Sequence, residues 1–439
     1  MVNRHQDTDD TPVTPGRVAT ASMVGTVMEW YDFFLYGFVA ALVFGQLFFP
    51  KYSAVAGTLA SFATLAVGFV ARPLGGVIFG HFGDRIGRKT MLITTLTLMG
   101  GSTFAIGLLP TYESIGLWAA VLLTVCRFLQ GVALGGEWGG AVLMAVEYAP
   151  PRRRGFFGSV VQTGATVGLA LATVVLFIAS YYLSKEDFLA WGWRVPFLLS
   201  IVMLISGLYI RMKVTETPAF RSVQEAGKIA KYPIVEVLRD HPKVVICTAL
   251  VYLGAITVPF YTVWVFLTYY ATSVLKLDRS MVLLGVVVVT LFLTLVILFA
   301  GSLSDRIGKK TILVVGCLVT VAVAFPFFTV LDLREIKWVW VAMLMMATPL
   351  WVMWAVLPAY FTEQFPEQLR YTGISLGSQA ATIVGGLVPL FATAVLPQYG
   401  TWPISVLVLV CVALSLGAIL ALNRGELARS TRLSGARTA

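Results

Sequence analysis

Apolar runs of about 20 to 30 residues, each closed by Pro, Gly or a charge cluster, recur from end to end of this chain. A helix needs about 20 mostly apolar residues to cross the hydrocarbon of a bilayer, and breaks of this kind mark where one crossing ends. The pattern predicts helices at residues 19–49, 54–80, 90–109, 115–147, 156–183 and 193–212. A polar stretch over 213–242 follows, and then helices at 243–273, 280–303, 311–331, 337–362, 372–396 and 402–422. The expected fold is an all-α integral membrane protein of 12 transmembrane helices in two six-helix bundles, 19–212 and 243–422. The linker over 213–242 and the tails 1–18 and 423–439 complete it.

Composition agrees with the pattern. Of 439 residues 58% are hydrophobic and 12% charged, against roughly 25% charged in a soluble domain. An ordinary cytosolic globule, a fibre and a disordered chain are all excluded. Cys126, Cys247, Cys317 and Cys411 stand singly in apolar runs, with no metal or redox spacing. The polar start, MVNRHQDTDDTPVTPGR, lacks the basic, apolar and small-residue regions of a signal peptide, so the first helix is expected to be retained.

Net charge is +10, but the cations sit in loops beside apolar spans, which reads as topology and not as nucleic-acid binding. Of the 32 Lys and Arg, Arg72, Arg127 and Arg194 are set apart as candidates for the site. Lys51, Lys185, Lys276, Arg279, Arg334 and Lys337 occupy one face, and the other 23 the opposite one. Short cation-rich loops stay inside, so both termini and the linker are expected to be cytoplasmic in a plasma membrane.

The chain also repeats itself. GHFGDRIGRK (Gly80 to Lys89) returns as GSLSDRIGKK (Gly301 to Lys310), and the spacing Glu147, Pro150, Arg154 returns as Glu363, Pro366, Arg370. Two echoes in order make the halves parallel repeats about an axis along the membrane normal, an architecture that carries its substrate site between the halves at mid-membrane.

Over nearly its whole length the chain resembles the major facilitator superfamily, whose signature is the GxxxDRxGRK loop. More narrowly it looks like the metabolite:proton symporter family, nearest its shikimate-transporter-like branch. MEWYDFFLYG (Met28 to Gly37), FVARPLGGVIFGHFGDRIGRK (Phe69 to Lys89), RFLQGVALGGEWGGA (Arg127 to Ala141) and WGWRVPF (Trp191 to Phe197) carry that match. The resemblance implies a latch between the halves on the cytoplasmic side, through Asp84, Arg85 and Arg88 and through Glu147 with Arg154. Asp305 and Arg306, and Glu363 and Arg370, stand at the matching places of the second half. The bland alternative is positive-inside topology with a capping Asp.

Charges inside spans are costly unless paired or wet, at least about 2.5 kcal/mol each at a helix centre, so the few present are informative. Glu29, Asp32 and Tyr36 share one face of the first helix. Asp32 stands roughly 22 Å from Arg17 and Arg72 roughly 18 Å from Asp84 at 1.5 Å per residue, so acid and arginine reach similar depths. Glu137, Arg127 and Arg194 add to the first half. The second half offers only aromatic and polar groups, Tyr261, Trp264, Trp354 and Gln379, beside Trp138 of the first.

That asymmetry suggests that Arg72 holds a substrate carboxylate through its fork, while an acid among Asp32, Glu29 and Glu137 takes a proton and releases the arginine. No cofactor is expected beyond the coupling proton, and the partners are a small organic anion or zwitterion, protons and lipid, with the chain acting as a monomer. Against this stands a permanent Arg72–Asp32 pair that only positions helices, with Glu137 cementing a helix crossing and Arg194 anchoring at the interface. Competing functions are an exporter or uniporter of a hydrophobic compound and a membrane sensor or scaffold. An enzyme is disfavoured for want of a nucleophile or metal cluster.

Overall fold

The computed structural model describes residues 14–422, and every described element is helical. Predicted tail residues 1–13 and 423–439 lie outside the described residues. Ten helices among the described residues are long and apolar enough to cross a membrane. The first half comprises α1 (Pro15–Val39), α2 (Ala54–Ile86), α3 (Arg88–Leu108), α4 (Leu117–Tyr148), α5 (Arg154–Gln162, resuming at Gly164–Tyr182) and α6 (Arg194–Met212). The second comprises α7 (Pro242–Val274), α8 (Arg279–Ile307), α9 (Lys309–Val323), α10 (Ile336–Thr362), α11 (Arg370–Tyr399) and α12 (Trp402–Ala421).

The repeated motif, expected as a loop, is mostly helix. Helix α2 runs on to Ile86 and α8 to Ile307, and only Gly87 and Gly308 separate them from the next helix. Both glycines have positive φ, 118° and 97°, where a Cβ would clash with its own backbone. The chain therefore reverses in a single residue, and the acidic and basic side chains of the motif are held at fixed places on helix ends. At the ninth predicted span the helix breaks at Phe325, ahead of Pro326, and resumes over Pro326–Leu331, because proline cannot continue the ladder of the preceding turn.

Within the first half α2 packs on α4, α1 on α5, and α3 on both α4 and α6. Between the halves, α2 and α4 meet α11, while α5 meets α8 and α10. The close crossings use glycine. A Cβ at Gly75 would strike the backbone of Val132, and one at Gly135 the backbone of Arg72, so α2 and α4 touch main chain to main chain. The linker folds into Pro218–Glu225 and Pro233–Asp240, whose Phe220, Val223 and Val237 are buried. Phe220 lies under the Arg88 guanidinium, 4.8 Å from it, so the linker is part of the basic face.

Candidate functional site

Helix α7 supplies one wall of a cavity between the halves, and its sequence explains how. Pro259 lacks the N–H that an α-helical turn requires, and the helix widens into i→i+5 turns at Leu253–Thr257 and Tyr261–Phe266 on either side. Such wide turns shift the angular register, often at functional sites, and bring Tyr252, Ile256, Thr257, Phe260 and Tyr261 to one surface. Glu29, Trp30 and Phe33 of α1, Arg72 of α2 and Thr382 of α11 close the cavity. Its volume is about 40 Å³, room for a few waters at ~10–15 Å³ each and not for a metabolite.

Inside it Arg72 Nη2 donates to Glu29 Oε1 at 3.0 Å. Glu29 Oε2 and Arg72 Nε, both buried, have no hydrogen-bond partner, so the pair is one-pronged and each member keeps an unused site. The acid on Arg72 is thus Glu29, and the Arg72–Asp32 pair weighed from the sequence does not form. Three residues along an α-helix is 300°, so Asp32 points about 60° away from Glu29, toward α3. There Thr103 Oγ1 lies 2.5 Å from Asp32 Oδ2, and Oδ1 is buried without a partner.

Asp32 communicates with Arg127 through side chains. Gln130 Nε2 donates to Thr103 Oγ1 at 2.7 Å, and Arg127 Nη1 donates to Gln130 Oε1 at 3.2 Å. The Arg127 guanidinium sits 4.3 Å over the Tyr36 ring, whose hydroxyl bonds Thr64 Oγ1 at 2.6 Å. A buried cation on an aromatic face and an amide is only partly compensated, and Asp32 is the acid its network leads to.

Glu137, expected beside these acids, is committed elsewhere. It forms a two-pronged pair with Arg211 of α6, accepts from Thr95 Oγ1 at 2.6 Å, and Arg211 also donates to Leu92 O at 2.5 Å. The counting of basic residues placed Arg211 in a loop, yet it is 4% exposed. Gly25 makes room for it, since a Cβ there would strike both charged groups. Arg194 likewise lies away from the cavity and donates to Gly107 O and Leu109 O, at 2.9 and 2.6 Å. It satisfies carbonyls at the C-terminal end of α3, the favoured place for a cation.

Among the aromatic and amide candidates, Tyr261 lines the cavity and Trp264 does not. Gln379 is buried and packs over Gly76, with neither amide atom partnered. Trp138 and Trp354 stack with centroids 5.7 Å apart and planes at 25°, joining α4 of one half to α10 of the other.

On the basic face, side chains tie the halves together. Asp84 Oδ1 and Oδ2 accept from Tyr371 N and Thr372 N of α11 at 3.2 and 2.9 Å. Asp305 Oδ1 and Oδ2 accept from Gly155 N and Phe156 N of α5 at 2.7 and 2.9 Å. Each carboxylate thus meets a helix N-terminus in the opposite half, where orphan N–H groups and the macrodipole favour an anion. Arg88 lies 3.4 Å from Asp84 and 3.8 Å from Glu147, and donates to Glu367 O at 2.8 Å. Arg370 reaches Glu147 of the other half at 3.4 Å, whereas Lys309 pairs with Glu363 inside the second half at 3.0 Å. Arg85 and Arg306 are exposed on the outer surface of their helices, one position along from the carboxylates that bridge the halves. Arg154 begins α5, its Nε buried without a hydrogen-bond partner, while Glu147 pairs with Arg88 and Arg370.

Sequence reasoning missed Arg211, Gln130, Thr103 and Gln162. All are polar residues within or at the edge of spans, and Arg211 alone carried a charge that could have drawn notice.

The Major Facilitator Superfamily profile matches residues 22–389. The chain is 42% identical to the "Shikimate transporter" of Escherichia coli (strain K12) over 392 residues, covering 88% of this chain and 89% of that one. It is 34% identical to the "Proline/betaine transporter" of Salmonella typhimurium (strain LT2), over 86% of this chain and 77% of that one. The fold superposes on the proton:xylose symporter XylE bound to 6-bromo-6-deoxy-D-glucose with a TM-score of 0.74 at 17% identity, covering 92% of this chain and 94% of that one.

Proposed function

The chain belongs to the major facilitator superfamily and is a multi-pass membrane transporter, not an enzyme; we propose that it takes up a small carboxylate or zwitterion together with a proton. The observation that carries this is the Glu29–Arg72 pair in the wall of the inter-half cavity. One guanidinium faces two rival carboxylates, its own glutamate and that of the substrate. Protonating Glu29 removes the first and leaves the fork of Arg72 free for the second. Proton and substrate then favour each other's binding, and this mutual dependence is the coupling free energy that symport requires. Asp32, joined to Arg127 through Thr103 and Gln130, is the second protonatable group of the same half. The rings of Trp30, Phe33, Phe260 and Tyr261 would flank the body of the substrate, with the Thr257 and Thr382 hydroxyls beside them.

The chain crosses the membrane twelve times, α1 and α9 with its continuation completing the ten helices above, and both termini are cytoplasmic because cation-rich loops resist translocation. The Asp84 and Asp305 bridges then close the cytoplasmic side, and the small cavity has to expand toward the outer side to admit substrate. Alternating access follows when the bridges release and the halves rock. One chain in a bilayer provides every part of this cycle.

Uptake into proteoliposomes loaded at neutral pH tests the reading. An acidic exterior should drive accumulation of a labelled carboxylate, an uncoupler should abolish it, and competing carboxylates or betaines should rank the substrates. Accumulation that survives full uncoupling would remove proton symport. Transport of an uncharged hydrophobic compound, with no competition by carboxylates, would favour the exporter or uniporter reading.

A further inference from the structure

Proline at position 358 has a consequence four residues earlier. In α10 the carbonyl of Trp354 would ordinarily accept from the N–H of residue 358, and Pro358 has none. At the buried heart of the protein such an orphan is costly, and the other half satisfies it. Gln162, at the end of the first segment of α5 and fully buried, donates from Nε2 to Trp354 O at 2.9 Å. Its Oε1 accepts from Trp138 Nε1 at 3.0 Å. Trp354 Nε1 lies 3.4 Å from Gln162 O, so the contact runs in both directions between α5 and α10. The stacked rings of Trp138 and Trp354 lie alongside it. Trp30, which lines the cavity, meets Trp354 edge-on at 6.2 Å, and Trp138 meets Phe361 at 6.3 Å, two turns of α10 further along toward the basic face. The assembly is therefore the floor of the cavity on that side, made jointly by the two halves.

We infer that Gln162 is a positioning residue for transport, which clasps the proline-freed carbonyl of Trp354 and so holds the Trp138–Trp354 floor shut until the halves rock. The amide is suited to this because it carries donor and acceptor at once. It carries no charge and takes up no proton, so it is no part of the Glu29–Arg72 exchange, and its failure would leave the symport reading standing. When the basic side opens, α5 and α10 part, and the Trp354 carbonyl exchanges Gln162 for entering water. The clasp thus biases the closed state without locking it.

The test uses the full-length protein with Cys126, Cys247, Cys317 and Cys411 replaced by serine and Ser375→Cys as reporter, a position of α11 that is fully buried between the halves. Labelling by a hydrophilic maleimide, without substrate, reads how often the basic side opens. Gln162→Leu keeps the bulk and removes both bonds, and should raise the labelling rate about fivefold or more. Pro358→Ala restores an N–H at 358, so Trp354 O is satisfied within its own helix. In that background Gln162→Leu should change labelling much less. Should Gln162→Leu alone fold poorly, the double variant should recover part of its monodispersity and melting temperature, the remainder belonging to Trp138 Nε1, which still lacks its acceptor. Equal labelling with and without Gln162, or an effect of Gln162→Leu undiminished by Pro358→Ala, would overturn the inference.

Discussion

Asp84 and Asp305 occupy matching places 221 residues apart, and each caps a helix N-terminus in the half to which it does not belong. The repeated motif sets both carboxylates on the same face, and the two bridges brace it from both sides. They are not equal. Asp84 is fully buried beside a buried Arg88, whereas Asp305 is partly exposed and position 309 carries a Lys in place of the matching Arg.

Neutralising each carboxylate should loosen this face, and by different amounts. Hydrogen bonds to charged groups are worth about 1.5–3 kcal/mol, so Asp84→Asn should populate the state open on the basic side by about tenfold or more. Asp305→Asn should do less, because water screens its site. Hydrogen exchange at the Tyr371 and Thr372 amides for the first variant, and at Gly155 and Phe156 for the second, measures both. Arg85→Ala and Arg306→Ala, on the exposed surface, should leave those amides unchanged, and faster exchange there would assign these arginines to the bridges.

The Glu29–Arg72 pair predicts separable defects. Glu29→Gln keeps the shape and removes the proton site, so exchange of internal for external substrate should continue while gradient-driven accumulation falls to equilibration. Arg72→Lys retains the charge but loses the fork and should raise KM for a carboxylate by about tenfold or more, in line with a charge-assisted bond of ~1.5–3 kcal/mol. Normal accumulation by Glu29→Gln would transfer the proton to Asp32, where Asp32→Asn is the matching experiment.

Glu137 and Arg211 should behave as structural partners. Removing one member of a buried pair leaves an uncompensated charge and costs about 3–5 kcal/mol, so Glu137→Gln and Arg211→Met should each lower the melting temperature markedly. Glu137→Leu combined with Arg211→Met should recover most of the loss, since two apolar groups need no partner. A double variant that melts normally yet accumulates no substrate would return Glu137 to the transport cycle.

Gly75→Ala and Gly135→Ala should be among the most damaging single-methyl changes in the chain. At both sites the added carbon meets main chain of the facing helix, which cannot rotate away. Loss of monodisperse protein after extraction is the expected result, whereas Gly101→Ala, where nothing lies within 4 Å, should be silent.

Much of this was legible in the residues. Apolar runs set the helices because a bilayer leaves the backbone no partner but itself, and the repeated GxxxDRxGxK set the two-half plan. The family resemblance implied a latch between the halves through the carboxylate of that motif, without saying which main-chain groups it meets. Partner choice was less legible. Glu29 and Asp32 are three residues apart on one helix, and 60° of rotation sends one to Arg72 across the cavity wall and the other to Thr103. Arg211 counted as a loop cation because it lies one residue from a span end, where side-chain direction decides between water and the interior. Gln162 carried no charge and sat in no motif, so only its distance to Trp354 distinguishes it.

The sequence by itself determined that this is a helical membrane protein built as two similar halves, with charge concentrated on one face. Those properties follow from hydrophobicity, from repetition and from the free energy of moving cations across lipid, all of which are local or additive along the chain. Only the tertiary structure decided which acid neutralises which arginine, which polar atoms go unpartnered at the cavity, and that a carbonyl freed by Pro358 is taken up by the opposite half. Such pairings depend on angles and separations of an ångström or two between helices far apart in the chain, and no pattern within one helix fixes those.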